Sequence, residues 1–192
     1  LAFAGAPFIK LSGLLFFIYP LVSLFLSRSV GGGDISEIRL TKKQNRLLTA
    51  HVGDMVRFYT DNVGEATNHL PPDNIQLSPV SDTAMRTSPT NIGFYLVSLL
   101  AARDFGLIDT KSLCDRAERC IESVEKMEKY RGNLYNWYDL NDLSVIGDHY
   151  VSAVDSGNLT VMLEVLKNGI TEYADEDTRV APIVRRIEAI IS

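Results

Sequence analysis

The sequence contains only two cysteines, a single tryptophan and no concentrated run of basic residues. Cys114 and Cys120 are six positions apart in a predicted helix, so their side chains point in different directions and do not pair. Because neither has a metal-binding companion pattern, both are predicted to be buried apolar residues. The net charge of -5 argues against the basic surface that nucleic acids require, so no nucleic-acid partner is expected.

Charged residues are also missing from an apolar segment at residues 11–27. As a helix, its roughly 17 residues span about 25 Å, close to the thickness of a bilayer core. A transmembrane helix within residues 1–30 is therefore predicted, with lipid as its partner. A buried core helix is the alternative, and a signal peptide is disfavoured because no basic leader or persuasive cleavage site is present. Most basic residues follow the segment, which places the remainder of the chain in the cytoplasm.

The chain after this segment is predicted to consist of a Gly-rich linker at residues 31–40 and one helical domain at residues 41–192. Amphipathic and nearly all-apolar helices alternate from the first to the fifth, which indicates outer and inner positions. Long loops lead from outer to inner helices and short ones lead back, so the long loops gather at one end. The expected fold is all-α, with antiparallel helical hairpins forming part of an α/α toroid after the transmembrane helix. No strand alternation is convincing, although a short hairpin fits within residues 133–150.

Capping signals predict where the helices begin. Thr41 and Gln44 have the spacing of a capping box, and Ser88 followed by Pro89 is a typical helix start. The remaining helices are expected at residues 110–130, at about 155–170, and after the acidic run at 175–177.

The first long loop, residues 68–88, contains groups that suit sugar hydroxyls. Asp73 and Asn74 offer short-range acceptors and donors, although Asp73 equally suits a turn. Arg86 precedes a helix N-terminus, where it either binds an anion or ties loops together.

The second long loop, residues 131–155, contains Asn136, Trp137, Tyr138 and Asp139, a mixture that stacks on sugar faces and bonds to hydroxyls. The alternative role for Trp137 is a wedge that fills the fold. Asp155 is a candidate acid, base, substrate clamp or helix N-cap, and Asp139 and Asp155 are the candidates for catalysis.

Metal binding is not predicted. His69 and His149 fall in the two loops, but they lack the spacing of known metal motifs.

Four stretches carry a resemblance to a known family. They are NHLPPDN at residues 68–74, RTSPTNIGFYLVSLLAARDFG at 86–106, YNWYD at 135–139 and YVSAVDSGNL at 150–159. In this order and approximate spacing they resemble the cyclic β-1,2-glucan synthase family, over residues 68–166. By resemblance, the motif positions that become binding or scaffold candidates are Arg86, Asn91, Trp137, Tyr138, Asp139, Asp155 and Asn158.

The resemblance implies a very large inner-membrane protein with a glycosyltransferase region that uses UDP-glucose and a helical transglycosylation region. This chain is similar to the junction between a last membrane helix and the start of the helical region. No cofactor is expected in it, since no Asp-x-Asp string stands in a strand context. Its implied partners are a β-glucan oligosaccharide and the remainder of a parent polypeptide, and the family's catalytic carboxylates are expected beyond Ser192.

The predicted function is therefore glucan binding and cyclisation by transglycosylation within a larger enzyme, with this fragment inactive alone. The starting Leu1 and the abrupt apolar opening agree with an excerpt from a longer chain. Two alternatives stay open: a noncatalytic carbohydrate-binding segment and a membrane-anchored helical interaction segment.

Overall fold

The computed structural model describes Ser23 and residues 39–192. Apart from Ser23, the predicted transmembrane segment lies outside the described residues, as does most of the predicted linker, so both stay predictions. The chain divides into two compact units, Leu1–Gln44 and Asn45–Ser192. In the part of the chain that the structure describes, no helix has the length and apolar character needed to cross a membrane.

Five α-helices and six short strands occur in residues 39–192. The helices are α1 (Lys42–Asn62), α2 (Pro89–Asp104), α3 (Thr110–Lys126), α4 (Ala153–Thr171) and α5 (Val180–Ile191). The strands are β1 (Ile75–Leu77), β2 (Val80–Thr83), β3 (Arg86–Thr87), β4 (Lys129–Tyr130), β5 (Asn133–Leu134) and β6 (Tyr138–Asp139). The mainly helical prediction is confirmed, but the expectation of almost no strands was wrong. Most of these strands have only two or three residues, too few for alternation to be recognised.

The predicted capping box of α1 is confirmed. The backbone N–H of Gln44 donates to Thr41 Oγ1 at 3.3 Å, and that of Thr41 donates to Gln44 Oε1 at 2.9 Å. Six apolar residues recur at helical spacing in α1: Leu47, Leu48, Val52, Met55, Val56 and Tyr59. Only the second half of this apolar stripe meets the core: Val56 is buried and the Tyr59 ring lies 5.4 Å from that of Tyr95 in α2, whereas Met55 is 70% exposed.

Helices α2 and α4 lie at the centre and pack closely against each other. Two glycines permit the approach: a Cβ at Gly93 of α2 would meet Met162 Sδ at 2.5 Å, and one at Gly169 of α4 would meet Leu100 Cδ2 at 2.3 Å. Helix α3 packs on α2, and α5 packs on both α4 and α3. The predicted alternation of inner and outer helices is thus confirmed for α2 to α5.

Short connections join α2 to α3 and α4 to α5, as predicted. Gly106 adopts φ +69° just after α2, a left-handed conformation that suits a residue without a Cβ at a helix end. Arg103 lies at the end of α2, and Glu176 lies in the connection between α4 and α5. Arg103 Nη2 donates a hydrogen bond to Glu176 Oε2 at 2.8 Å. The Arg179 guanidinium holds the pKa of the Asp177 carboxyl at about 2, chiefly through side-chain hydrogen bonds. The Arg103–Glu176 and Arg179–Asp177 ion pairs stabilise the end of the helical bundle that lies opposite the long loops.

Helix α3 ends earlier than predicted, at Lys126 instead of residue 130. The reason is a hairpin in which β4 pairs with β5 across Arg131 and Gly132, both with positive φ. The short hairpin expected within residues 133–150 therefore begins upstream, at Lys129.

Candidate functional site

The two long loops meet in front of the N-termini of α2 and α4. Strand β3 of the first loop pairs antiparallel with β6 of the second, with Arg86 opposite Asp139 and Thr87 opposite Tyr138. The Leu140 N–H also donates to the Met85 carbonyl at 3.1 Å. The prediction that both loops share one end of the bundle is confirmed, and this pairing sets their register.

The starts of the two inner helices are capped by serines. Ser88 accepts a hydrogen bond from Asn91 N–H at 3.3 Å, and Pro89 takes the first helical position, as predicted. In α4 the cap is Ser152, which accepts from Asp155 N–H at 3.2 Å. The reading of Asp155 as an N-cap was therefore wrong, because its side chain is left free to face α2.

Asp155 links the two inner helices through Thr90. The Thr90 hydroxyl donates to Asp155 Oδ1 at 2.6 Å and accepts from Asn158 Nδ2 at 3.2 Å. All three residues are half-buried. The hydroxyl thus connects a carboxylate and an amide of α4 from a position in the first turn of α2.

The second oxygen of Asp155 leads into the second loop. In the orientation that satisfies both ends of its amide, Asn136 donates through Nδ2 to Asp155 Oδ2 at 3.2 Å. Its Oδ1 then accepts from Trp137 Nε1 at 2.8 Å. The chain of contacts from Asn158 therefore reaches the edge of the only tryptophan in the sequence.

The first loop reaches the same tryptophan from another side. The guanidinium carbon of Arg86 lies 4.4 Å from the centroid of the Trp137 ring, a cation–π contact. Arg86 also bonds to Asp73 Oδ2 through Nε at 3.2 Å and Nη2 at 2.9 Å. Asp73 accepts further hydrogen bonds from Asn74 at 2.9 Å and Asn91 at 3.2 Å.

One continuous polar network thus joins most of the predicted site. Eight predicted residues belong to it: Asp73, Asn74, Arg86, Asn91, Asn136, Trp137, Asp155 and Asn158. Sequence reasoning missed Thr90, the residue that connects the two inner helices. The signal was available, since Thr90 stands inside the SPTN helix start beside Asn91.

Two predicted residues have other roles. Tyr138 is fully buried, its hydroxyl donates to the Glu128 carbonyl at 2.6 Å, and burial raises its pKa to about 12. Its predicted contact with substrate is therefore wrong for this structure, because the ring serves the core. Asp139 bonds through Oδ1 to the backbone N–H of Asn141 at 2.7 Å, a local turn that occupies this oxygen.

The histidines lie away from this network. His69 lines a separate cleft of about 310 Å³ beside α3, and His149 lies 3.6 Å from the exposed carboxylate of Glu128. No group of three or more His, Cys, Asp or Glu side chains able to hold a metal ion occurs within residues 39–192.

An open groove adjoins the network. It has a volume of about 520 Å³, within the range of ligand pockets. Its lining residues are Asn74, Gln76, Asp82, Ala84, Met85, Arg86 and Ile146. Asn74 and Arg86 therefore belong to both the groove and the network. A ligand in the groove would meet two amides, the Asp82 carboxylate, the Arg86 guanidinium and apolar side chains, a mixture of donors and acceptors that suits a polyhydroxyl compound.

A family model described as "Protein of unknown function (DUF3131)" matches residues 76–186. The chain belongs to this family. It is also 37% identical over 172 residues to the cyclic beta-(1,2)-glucan synthase NdvB of Rhizobium meliloti (strain 1021), covering 89% of this chain. The resemblance seen in the sequence is confirmed, although the chain spans only 6% of the length of that relative.

Solved structures show the same helical arrangement. An endo-beta-1,2-glucanase from Chitinophaga pinensis, solved with sophorotriose and glucose, matches with a TM-score of 0.63 at 12% identity. The match covers 79% of this chain and 36% of the glucanase chain. A putative glucoamylase from Bacteroides fragilis matches with a TM-score of 0.65 at 17% identity, over 81% of this chain and 37% of its own. At these identities the likeness shows the fold.

Proposed function

We propose that this chain forms one wall of a glucan-binding cleft in a larger toroidal enzyme that cyclises β-1,2-glucan by transglycosylation. The observation that carries the proposal is the polar network around Trp137, at the end of the bundle where both long loops meet. Its aromatic ring, amides and guanidinium match what a glucose oligomer presents, namely apolar ring faces and hydroxyl edges. The similarity to a cyclic beta-(1,2)-glucan synthase supports the substrate class.

Asp73 and Asp155 hold neighbouring side chains in place and do not react with the glucan. Asp73 and Asp155 each accept hydrogen bonds on both oxygens from neighbouring side chains. A glycosidase acid or nucleophile must instead face the scissile bond, paired with a second carboxylate on its other side. The chain therefore supplies binding and orientation, and the reacting carboxylates come from elsewhere in the longer protein. UDP-glucose use and location at the inner membrane belong to the same proposal.

Fluorescence of the single tryptophan tests the binding. Titration of the chain with β-1,2-linked glucose oligomers is expected to give a saturable change in Trp137 emission, with little response to β-1,4-linked oligomers of equal length. Asn158→Ala removes a hydrogen bond to Thr90 and should weaken binding by about 3- to 10-fold. The matched control is Asn168→Ala, an exposed residue further along α4. A folded chain that gives no response would refute the binding.

The transglycosylation role is tested in the longer protein. Cyclic glucan is quantified for Asp155→Asn and Asp139→Asn. A holding role for Asp155 predicts reduced but measurable cyclisation, whereas a complete loss with normal glucan binding would make Asp155 a reacting group and contradict the assignment. Unchanged cyclisation in both variants would remove both residues from the reaction.

Exposed apolar residues on the inner helices support packing against further protein. Phe94 of α2 is 52% exposed, and Val154 and Val161 of α4 are 72% and 63% exposed. We assign this surface to the remaining helices of the toroid, since inner helices of a complete ring are covered. Val161→Glu should leave the isolated chain within about 0.5 kcal/mol of its original stability and reduce the folded yield of the longer protein. Equal yields would contradict this assignment.

A further inference from the structure

Asp73 lies at the centre of a set of hydrogen bonds that joins the first loop to the start of α2. Its carboxylate accepts from Arg86 Nη2 at 2.9 Å, Asn74 Nδ2 at 2.9 Å and Asn91 Nδ2 at 3.2 Å. Its side chain is only 17% exposed, whereas that of Arg86 is 47% exposed. A carboxylate with these donors holds its neighbours in place, and the group that it holds most firmly is the Arg86 guanidinium, bound through two nitrogens.

Arg86 in turn covers part of Trp137. A planar guanidinium 4.4 Å from the ring centroid occupies one face of the indole, so a second group cannot stack there. The N–H edge of the same ring donates to Asn136 Oδ1 at 2.8 Å. Trp137 as a whole is half-buried, and because Arg86 takes one face of the ring, only the face away from Arg86 is left for a ligand to stack on.

We infer that Asp73 and Arg86 are positioning residues that fix Trp137 as a one-faced platform, on whose open face a single glucose ring of the β-glucan stacks. This inference rests on the proposed function for its ligand. Asp73 acts through Arg86, and neither carboxylate oxygen of Asp73 is needed by the sugar. The earlier expectation that Asp73 binds sugar hydroxyls directly is replaced by this indirect role.

The arrangement distinguishes arginine from lysine at position 86. A lysine keeps the charge and reaches Asp73, but its ammonium has no planar fork to bond the carboxylate twice while lying flat on the indole. Arg86→Lys should therefore free the ring as Asp73→Asn does. If only the charge of Arg86 mattered, the lysine variant would behave like the original chain.

Acrylamide quenching of Trp137 in the ligand-free chain measures the positioning without any sugar. Asp73→Asn and Arg86→Lys are expected to raise the quenching constant by about 1.5- to 3-fold and to weaken β-1,2-glucan oligomer binding by about 3- to 30-fold, the range of a cation–π contact. The double variant should equal either single one, because both changes break the same linkage. Binding is followed by calorimetry, so that it does not depend on the fluorescence signal.

Asp175→Asn is the matched control, because it removes an exposed carboxylate in the connection between α4 and α5. It should change neither quenching nor affinity. If the original chain binds glucan but Asp73→Asn leaves quenching and affinity unchanged, the positioning role is overturned and the proposed function stands. Additive losses in the double variant would also overturn it, since they require Asp73 to act independently of Arg86. If the original chain binds no glucan, the proposed function fails, and quenching still reports whether Asp73 and Arg86 fix the ring.

Discussion

The close approach of α2 and α4 can be tested by replacing two glycines of α4 with alanine and comparing the stability of the two variants. A methyl group added at Gly169 would lie 2.3 Å from Leu100 Cδ2, 3.0 Å from Cδ1 and 3.2 Å from Cγ. Rotation about the Cβ–Cγ bond moves the two methyl groups but leaves Cγ at 3.2 Å, still a tight contact, so full relief requires the whole leucine side chain to shift. Leu100 is only 8% exposed and has little room to move outward.

The magnitude follows from two opposing terms. Alanine in place of a helical glycine gains about 1 kcal/mol from backbone entropy and helix propensity. Overpacking a filled interface costs about 1 to 3 kcal/mol. Gly169→Ala should therefore destabilise the chain by about 0 to 2 kcal/mol. Gly157→Ala, with no atom within 4 Å of the added methyl group, should stabilise it by up to about 1 kcal/mol.

Both glycines lie in α4, so both variants gain the same helix propensity. The difference between their free energies of unfolding therefore measures the cost of overpacking alone. Urea unfolding followed by circular dichroism should place Gly157→Ala about 1 to 3 kcal/mol above Gly169→Ala in free energy of unfolding. In melting temperature this corresponds to about 2 to 4 °C for each kcal/mol. If the two variants agree within about 0.5 kcal/mol, α2 and α4 do not pack as closely as described.

Three other changes test the parts of the structure that support the site. Tyr138→Phe leaves the Glu128 carbonyl without its buried donor and should lower the free energy of unfolding by about 1 to 3 kcal/mol, measured by urea unfolding. Ser152→Ala removes the cap of α4 and should cost about 1 kcal/mol in the same assay, whereas an unchanged midpoint would contradict its capping role. Arg179 lowers the pKa of Asp177 to about 2, so the ionised Asp177 carboxylate stabilises the folded chain. This stabilisation is complete above about pH 5 and is lost as the pH falls towards 2. Asp177→Asn should therefore be less stable than the original chain by about 1 kcal/mol at pH 7, after allowance for solvent screening, and by progressively less at lower pH.

Much of the helical framework could be read from local sequence. Thr41 with Gln44 and Ser88 with Asn91 form caps through atoms only three residues apart, so their chemistry needs no tertiary partner. The start of α4 was missed by a few residues because Ser152 and Asp155 are both good caps. Only the direction in which Asp155 faces, towards Thr90, decides between them.

The site shows a similar division. Residue types suited to a glucan could be identified in the two loops and in the helix starts that follow them, and eight of them do lie in one network. The sequence did not reveal that Tyr138 is buried while its neighbour Trp137 stays partly exposed. Tyr138 lies in β6, which pairs with β3, a strand 52 positions earlier, and its ring is held in the core, whereas Trp137 lies just before β6.

The sequence by itself determined the mainly helical character of residues 41–192, the alternation of inner and outer positions from α2 to α5, and the family to which the chain belongs. Apolar periodicity, caps and short motifs are local properties, and they act over a few residues. Only the tertiary structure decided which polar side chains form hydrogen bonds with each other. The linkage from Asp73 through Arg86 to Trp137, and from Thr90 to Asp155, joins groups far apart in the chain, and only the docking of the two loops brings them within hydrogen-bond distance.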